Sequence, residues 1–209
     1  MTRRDFLWTP ALAAGLPPAA AAPVTVPIHR VTDGHARFGS GELERFWRNI
    51  WPEAFRDFQA GGIRLQTTDG SGEIRRTAAD RPVFVGLERH ALNLVLTDHL
   101  PLYWDSSRAL SGVTTIHEGY HLSLIALRYA HRHQVPFVSV NTCAHELLHA
   151  LMQDVFVSRP RWYQTGGREL RIDSYATMLW LFHDGAGIRA SARAYVERLT
   201  SPVSYKALH

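Results

Sequence analysis

Apolar residues recur along this chain with two different periods, and the change of period divides it into elements. Leu43, Phe46, Trp47, Ile50, Trp51, Ala54, Phe55 and Phe58 fall at helical spacing and make one broad apolar stripe. That predicts an amphipathic helix, with Ser40 available as its cap and Gly61-Gly62 as its stop. Pro52 interrupts the pattern, so a kink or two shorter helices are expected there. Before this helix, 24–32 is short and β-rich and ends at the turn Asp33-Gly34. After it, 63–68 and 73–76 flank Thr68-Asp69-Gly70-Ser71-Gly72, which reads as a hairpin turn.

Further strands are expected at 82–86 and 91–97. In the second, Leu92, Leu94 and Leu96 share one face, and Asn93, Val95 and Thr97 share the other. Residues 101–112 read as a loop. The stretch 113–126 reads as extended, with a C-terminal half that could also be helical. A helix is expected over 138–155, a loop over 158–167, a helix over 169–183 closed by Asp184-Gly185, and a last helix over 188–199. Strands and helices are mixed without strict alternation, which predicts an α+β domain. Residues 23–209 hold no internal repeat and no linker, so they read as a single domain.

The first 22 residues follow a different pattern. Arg3-Arg4-Asp5-Phe6-Leu7 is followed by a mildly apolar stretch and then by Pro17-Pro18 and four alanines. This is the charged, apolar, small-residue order of an export signal, with cleavage expected after Ala21 or Ala22. The Arg-Arg-x-Phe-Leu core resembles a twin-arginine signal, which implies an exported, periplasmic protein that can be loaded with a cofactor before export.

Composition narrows the classes. With 45% hydrophobic and 20% charged residues the chain is neither disordered nor collagen-like. No apolar run approaches the roughly 18–20 residues that span a bilayer, so no stable membrane insertion is expected once the signal is removed. The net charge of +4 is spread out, with no basic-aromatic stripe, which argues against nucleic acid. The single cysteine, Cys143, excludes an internal disulfide and a Cys-rich zinc site, and reads as a small packed residue.

The candidate chemistry lies in two His-Glu-x-x-His segments. His145-Glu146-Leu147-Leu148-His149 fits the zinc hydrolase motif, and His117-Glu118-Gly119-Tyr120-His121 matches the same pattern. Geometry separates them. On a helix, positions i and i+4 lie about 6 Å apart along the axis on one face, so two imidazoles can share an ion. On a strand they lie about 13 Å apart and cannot. Val140, Ala144, Leu147, Leu148, Leu151 and Val155 form a helical stripe, so the 145–149 match reads as helical and mostly buried. Polar side chains there need partners, and a metal ion would supply one. The 117–121 match carries Gly119 and follows the β-branched Val113-Thr114-Thr115-Ile116, so it reads as a strand near the site. His117, Gly119 and His121 would then face one way.

A catalytic zinc takes three protein ligands and leaves a position open. Met152 and Val155 stand where the metzincin extension carries Gly and His, which excludes that class. Downstream, Glu169 and Asp173 share one helix face. Glu169 can complete a His-His-Glu set while Asp173 orients a histidine ring. Asp173 as the ligand, or both as surface acids at a helix start, are the alternatives.

From these residues a resemblance follows. Val-Asn-Thr-Cys-Ala-His-Glu-Leu-Leu-His-Ala-Leu at 140–151 resembles a zincin active-site helix. The Glu-x-x-x-Asp at 169–173 resembles the glutamate helix of gluzincins such as the thermolysin-like peptidases. Residues 119–124 resemble the edge strand above a zincin cleft. The resemblance implies a zincin-like fold: a small mixed sheet packed on an N-terminal helix and an active-site helix, followed by a glutamate-bearing C-terminal helix. It implies a metallopeptidase with one zinc (Zn2+) per chain, held by His145, His149 and Glu169. Glu146 would be the general base toward a metal-activated water, and the substrate a peptide or protein that could pair with the 119–124 edge. Tyr163 and His183 are candidate transition-state donors. The domain is much smaller than thermolysin, so its specificity does not transfer. A periplasmic metal-binding protein without hydrolytic activity is the other reading, and it has no use for Glu146.

Overall fold

Six strands form one mixed sheet, and their direction follows from how they are connected. The computed structural model describes residues 22–79, 81–100, 111–130, 132–135, 138–157 and 185–200. The signal-like segment and the expected helix over 169–183 lie outside these residues. The strands are β1 (Val24–Asp33), β2 (Ile63–Arg76), β3 (Pro82–Val85), β4 (Leu92–Thr97), β5 (Gly112–His117) and β6 (Tyr120–Ala126). Their order across the sheet is β3-β2-β1-β4-β6-β5. β1, β2, β4 and β6 are mutually parallel, and the edges β3 and β5 run antiparallel to their neighbours. A separate hairpin joins β7 (Arg132–Val135) to β8 (Val138–Asn141).

The helix between β1 and β2 makes the first parallel crossover. It consists of α1 (Glu42–Arg45), a π-helical turn (Phe46–Ile50) and α2 (Trp51–Ala60). Ser40 does not cap it. Gly41 occupies the cap position, and the Glu42 carboxylate instead reaches back to accept the Gly39 N–H at 2.7 Å. Around Pro52 the helix is divided without being interrupted: the π-helical turn separates α1 from α2, and Pro52 lies in the first turn of α2. It has no N–H for the residue four back and its ring crowds that carbonyl. The turn just before it widens to i→i+5 bonding, with Trp51 N–H donating to the Phe46 carbonyl. The expected apolar stripe is buried: Phe46, Ile50, Trp51, Ala54 and Phe58 lie in the core. Arg30 fastens this helix to the sheet. Its guanidinium makes two 2.7 Å bonds to Asp69 and lies over the Trp47 and Trp51 rings.

The hairpin expected at 68–72 is not there. β2 runs unbroken through it, parallel to β1 over its first ten residues. The glycines serve close approach rather than turning. A Cβ on Gly70 would stand 2.5 Å from the His29 ring, and one on Gly72 would overlap the Val31 side chain and the Val85 carbonyl. The sheet curls at this point, and β3 comes over its second face until Phe84 packs edge-on against His117 of the opposite edge strand, at 5.2 Å. That closure buries β4 on both faces. Leu92, Leu94 and Leu96 face the main core, and Val95 faces a smaller cluster with Val31, Leu122 and Leu124, so the faces expected for this strand hold.

Two more helices pack on the main core face. α3 (Thr142–Val157) follows β8, so Val138 to Asn141 are strand rather than the expected first turn of helix. α4 (Gly185–Thr200) begins slightly before the expected last helix and buries Ile188, Ala192, Tyr195 and Leu199. The architecture is thus a curled mixed sheet with an N-terminal helix, α3 and α4 among the described residues. The parallel βαβ unit at its start goes beyond the expected α+β pattern. No described helix is long and apolar enough to cross a membrane.

Candidate metal centre

Asn141 fixes where α3 begins. Its Oδ1 accepts the Ala144 N–H at 2.8 Å, and its Nδ2 donates to the Ile50 carbonyl at 2.8 Å. One amide therefore caps α3 and ties it to the end of the π-helical turn. From Thr142 to Leu151 every residue is buried except His145 and His149, which are half-buried. Cys143, Ala144, Leu147, Leu148 and Leu151 fill the core, so packing sets the helix rotation and turns the two histidines away from the core.

The two imidazoles converge. His145 Nε2 and His149 Nε2 are 3.0 Å apart, with ring centroids at 4.6 Å and planes at 76°. Burial lowers the His149 pKa to about 4, which keeps the ring neutral, the form that ligates a metal. Two nitrogens bound to one tetrahedral zinc at about 2.0–2.1 Å each would be about 3.3 Å apart. The pair therefore fits a shared ion with little adjustment. Glu169, the expected third ligand, and Asp173, Tyr163 and His183 lie outside the described residues. Among the described residues, no group of three His, Cys, Asp or Glu side chains surrounds one point.

Glu146 leaves α3 toward strand β5, and its surroundings include residues that sequence reasoning missed. It is buried, and its Oε2 accepts the Thr114 hydroxyl at 2.8 Å. Thr114 Oγ1 is also 2.8 Å from the Glu146 carbonyl oxygen and 3.0 Å from Ser123 Oγ, which lies 3.3 Å from that carbonyl. Two hydroxyl protons suffice: Thr114 donates to the carboxylate and Ser123 to the carbonyl. Gly112 makes the room. A Cβ there would stand 2.6 Å from Glu146 Cγ. The signal in the sequence is slight: a glycine and a threonine two apart, and one serine inside the apolar run of 122–126. Burial and the charge of Glu146 push the Cys143 thiol up, so it stays protonated and packed.

The second His-Glu-x-x-His segment is a tight hairpin rather than one extended strand. Glu118 and Gly119 both have positive φ, at 50° and 82°, and His117 pairs directly with Tyr120. The reversal puts the two histidines on opposite faces of the sheet. His117 packs on Phe84 above the second face. His121 is buried under the helices, edge-on to the Tyr195 ring at 5.3 Å. They do not face one way and cannot share an ion. Nor is 119–124 an edge strand. β6 lies between β4 and β5 and is almost wholly buried, so the expected docking of a peptide on it is withdrawn. The edge beside Glu146 is β5.

In comparisons with known proteins, the chain matches no protein-family model, no curated protein and no solved structure.

Proposed function

We propose that this chain is an exported zinc-dependent peptidase of the zincin type. The observation that carries the reading is the convergence of His145 Nε2 and His149 Nε2 to 3.0 Å on a helix whose intervening Glu146 is buried against an edge strand. The layout supports it: a mixed sheet, an N-terminal helix and the His-Glu-x-x-His helix packed on one face. His145 and His149 would hold the ion, with Glu169 as third ligand. Zinc, when bound, supplies Lewis acidity and a water acidic enough to lose a proton near neutral pH. Glu146 would accept a proton from the water as its oxygen adds to the scissile carbonyl, and would return that proton to the amine as the C–N bond breaks. Thr114 orients this carboxylate by donating to Oε2. A peptide substrate would pair with β5, whose residues are all half-buried and whose outer edge has no partner strand among the described residues.

The test is metal content followed by hydrolysis. Elemental analysis after gel filtration should give one zinc per chain, lost in His149→Ala. Glu146→Gln should keep the zinc and lose cleavage of a mixed peptide library. Zinc bound with no cleavage by the wild type would favour a metal-binding protein, and no metal in the folded wild type would overturn both.

A further inference from the structure

A second feature lies at the C-terminal ends of the parallel strands, and the function proposed above does not use it. The chain leaves β1 toward β2 on one side, and later returns to place β4 on the other side of β1. The strand order therefore reverses direction at β1 and β4, and an open crevice is expected where parallel strands reverse their order. Such a crevice is present here, with a volume of about 460 Å³. Arg37 and Glu42 line it from the segment after β1, Asp98 and His99 from the end of β4, and Arg128 and Tyr129 from the end of β6. Three consecutive members of the parallel set thus contribute to one cavity, of a size that holds a small organic ligand.

Its charges are not equivalent. The two carboxylates are already held by donors of the crevice wall. Asp98 Oδ2 accepts the Arg37 N–H at 2.9 Å, and Asp98 Oδ1 faces His99 Nδ1 at 2.6 Å. Glu42 Oε2 accepts the Gly39 N–H at 2.7 Å. Burial alone would raise the Asp98 pKa, but the bonds from Arg37 and His99 outweigh it and lower the value, so this carboxylate stays ionised. The guanidinium groups of Arg37 and Arg128 form no ion pair among the described residues, and both are exposed. Two planar guanidinium forks on residues that line one cavity suit an oxyanion, which each can grip with two parallel N–H bonds.

We propose that this crevice binds a small organic acid or phosphate ester, with its oxyanion held between Arg37 and Arg128. The exposed Tyr129 ring would lie against the body of the ligand. The site stands apart from His145 and His149 in the sequence and does not depend on a metal being bound there.

Thermal unfolding of the full chain tests this, with inorganic phosphate in one arm, succinate in the other, and sodium chloride at matched ionic strength as the reference. A ligand at ten times its dissociation constant should raise Tm by about 3–6 °C in a chain of this size. A shift with phosphate assigns a phosphate ester, and a shift with succinate assigns a carboxylate. Arg37→Gln and Arg128→Gln should each weaken binding at least tenfold, while Arg64→Gln, an exposed arginine outside the crevice, should not. Both side chains are exposed, so the variants should fold, and circular dichroism checks that they do. No shift in either arm, or an undiminished shift in Arg128→Gln, would overturn the proposal.

Discussion

Glu146 is held by two neighbouring hydroxyls: Thr114 on β5 donates to its carboxylate Oε2 at 2.8 Å, and Ser123 on β6 donates to its carbonyl oxygen at 3.3 Å. The edge strand and the His-Glu-x-x-His helix are thereby locked in register at the residue proposed as the base. Thr114→Val keeps the shape and removes the hydroxyl. It should cost about 1.5–3 kcal/mol, because a buried carboxylate loses one hydrogen-bond donor. Urea unfolding measures that loss, and Thr114→Ser should recover most of it. If Thr114→Val unfolds like the wild type, the hydroxyl does not hold the carboxylate.

Gly112 gives a second handle on the same side chain. Gly112→Ala would put a methyl group 2.6 Å from Glu146 Cγ, so the carboxylate must move. The expected stability loss is about 1–3 kcal/mol. The more telling outcome is functional. Zinc content should stay at the wild-type value, because His145 and His149 are untouched, while peptide cleavage should fall at least tenfold. Loss of zinc together with activity would mean that the change had distorted the whole helix.

How much of this was legible in the sequence depends on whether local spacing or long-range approach set each feature. The stripe from Phe46 to Phe58 and the alternation of Leu92, Leu94 and Leu96 are local periodicities, and the core contains them as expected. The convergence of His145 and His149 follows from the same helical repeat. Gly70 and Gly72 read as turn residues because, in a sequence, a glycine needed for a turn and one needed for close approach look alike. The His29 and Val31 side chains arriving from β1, and the Val85 carbonyl arriving from β3, distinguish them. Glu118-Gly119 was missed because a tight turn usually shows Asn or Asp before the glycine, and here a glutamate adopts the positive φ. The burial of β6 and the role of Thr114 rest on strand order, and no single segment encodes that.

Asn141 illustrates a cap whose worth exceeds its local role. Its side chain is buried and serves two backbone groups from different helices. Asn141→Ala leaves the Ala144 N–H and the Ile50 carbonyl without that partner. A surface cap is worth about 1 kcal/mol, and a buried unsatisfied group costs about 1–3 kcal/mol. The expected loss is therefore about 2–4 kcal/mol by urea unfolding. Asn141→Asp restores only the acceptor and should recover only part. A loss under 1 kcal/mol would show that the Ile50 contact contributes nothing.

The burial of His121 predicts a dependence of stability on acid. Its pKa is lowered to about 4, chiefly by burial and further by the nearby Arg198 charge. In the unfolded chain the ring titrates at about 6.5. Above that pH both states are neutral and this residue contributes no pH dependence. As pH falls from about 6.5 to about 4, the unfolded chain takes up the proton and the folded chain does not, so folding becomes less favourable. The slope approaches about 1.4 kcal/mol per pH unit, for a total of about 3 kcal/mol at most. Below the folded pKa both states are charged and the contribution levels off. Other groups titrate in the same window, so the quantity to follow is the difference between wild type and His121→Gln, which cannot ionise. Unfolding free energies measured from pH 7.5 to 4.5 should show the two proteins diverging, with the wild type losing stability faster. Parallel curves would mean that His121 is charged in the folded protein and that its packing against Tyr195 accommodates the proton.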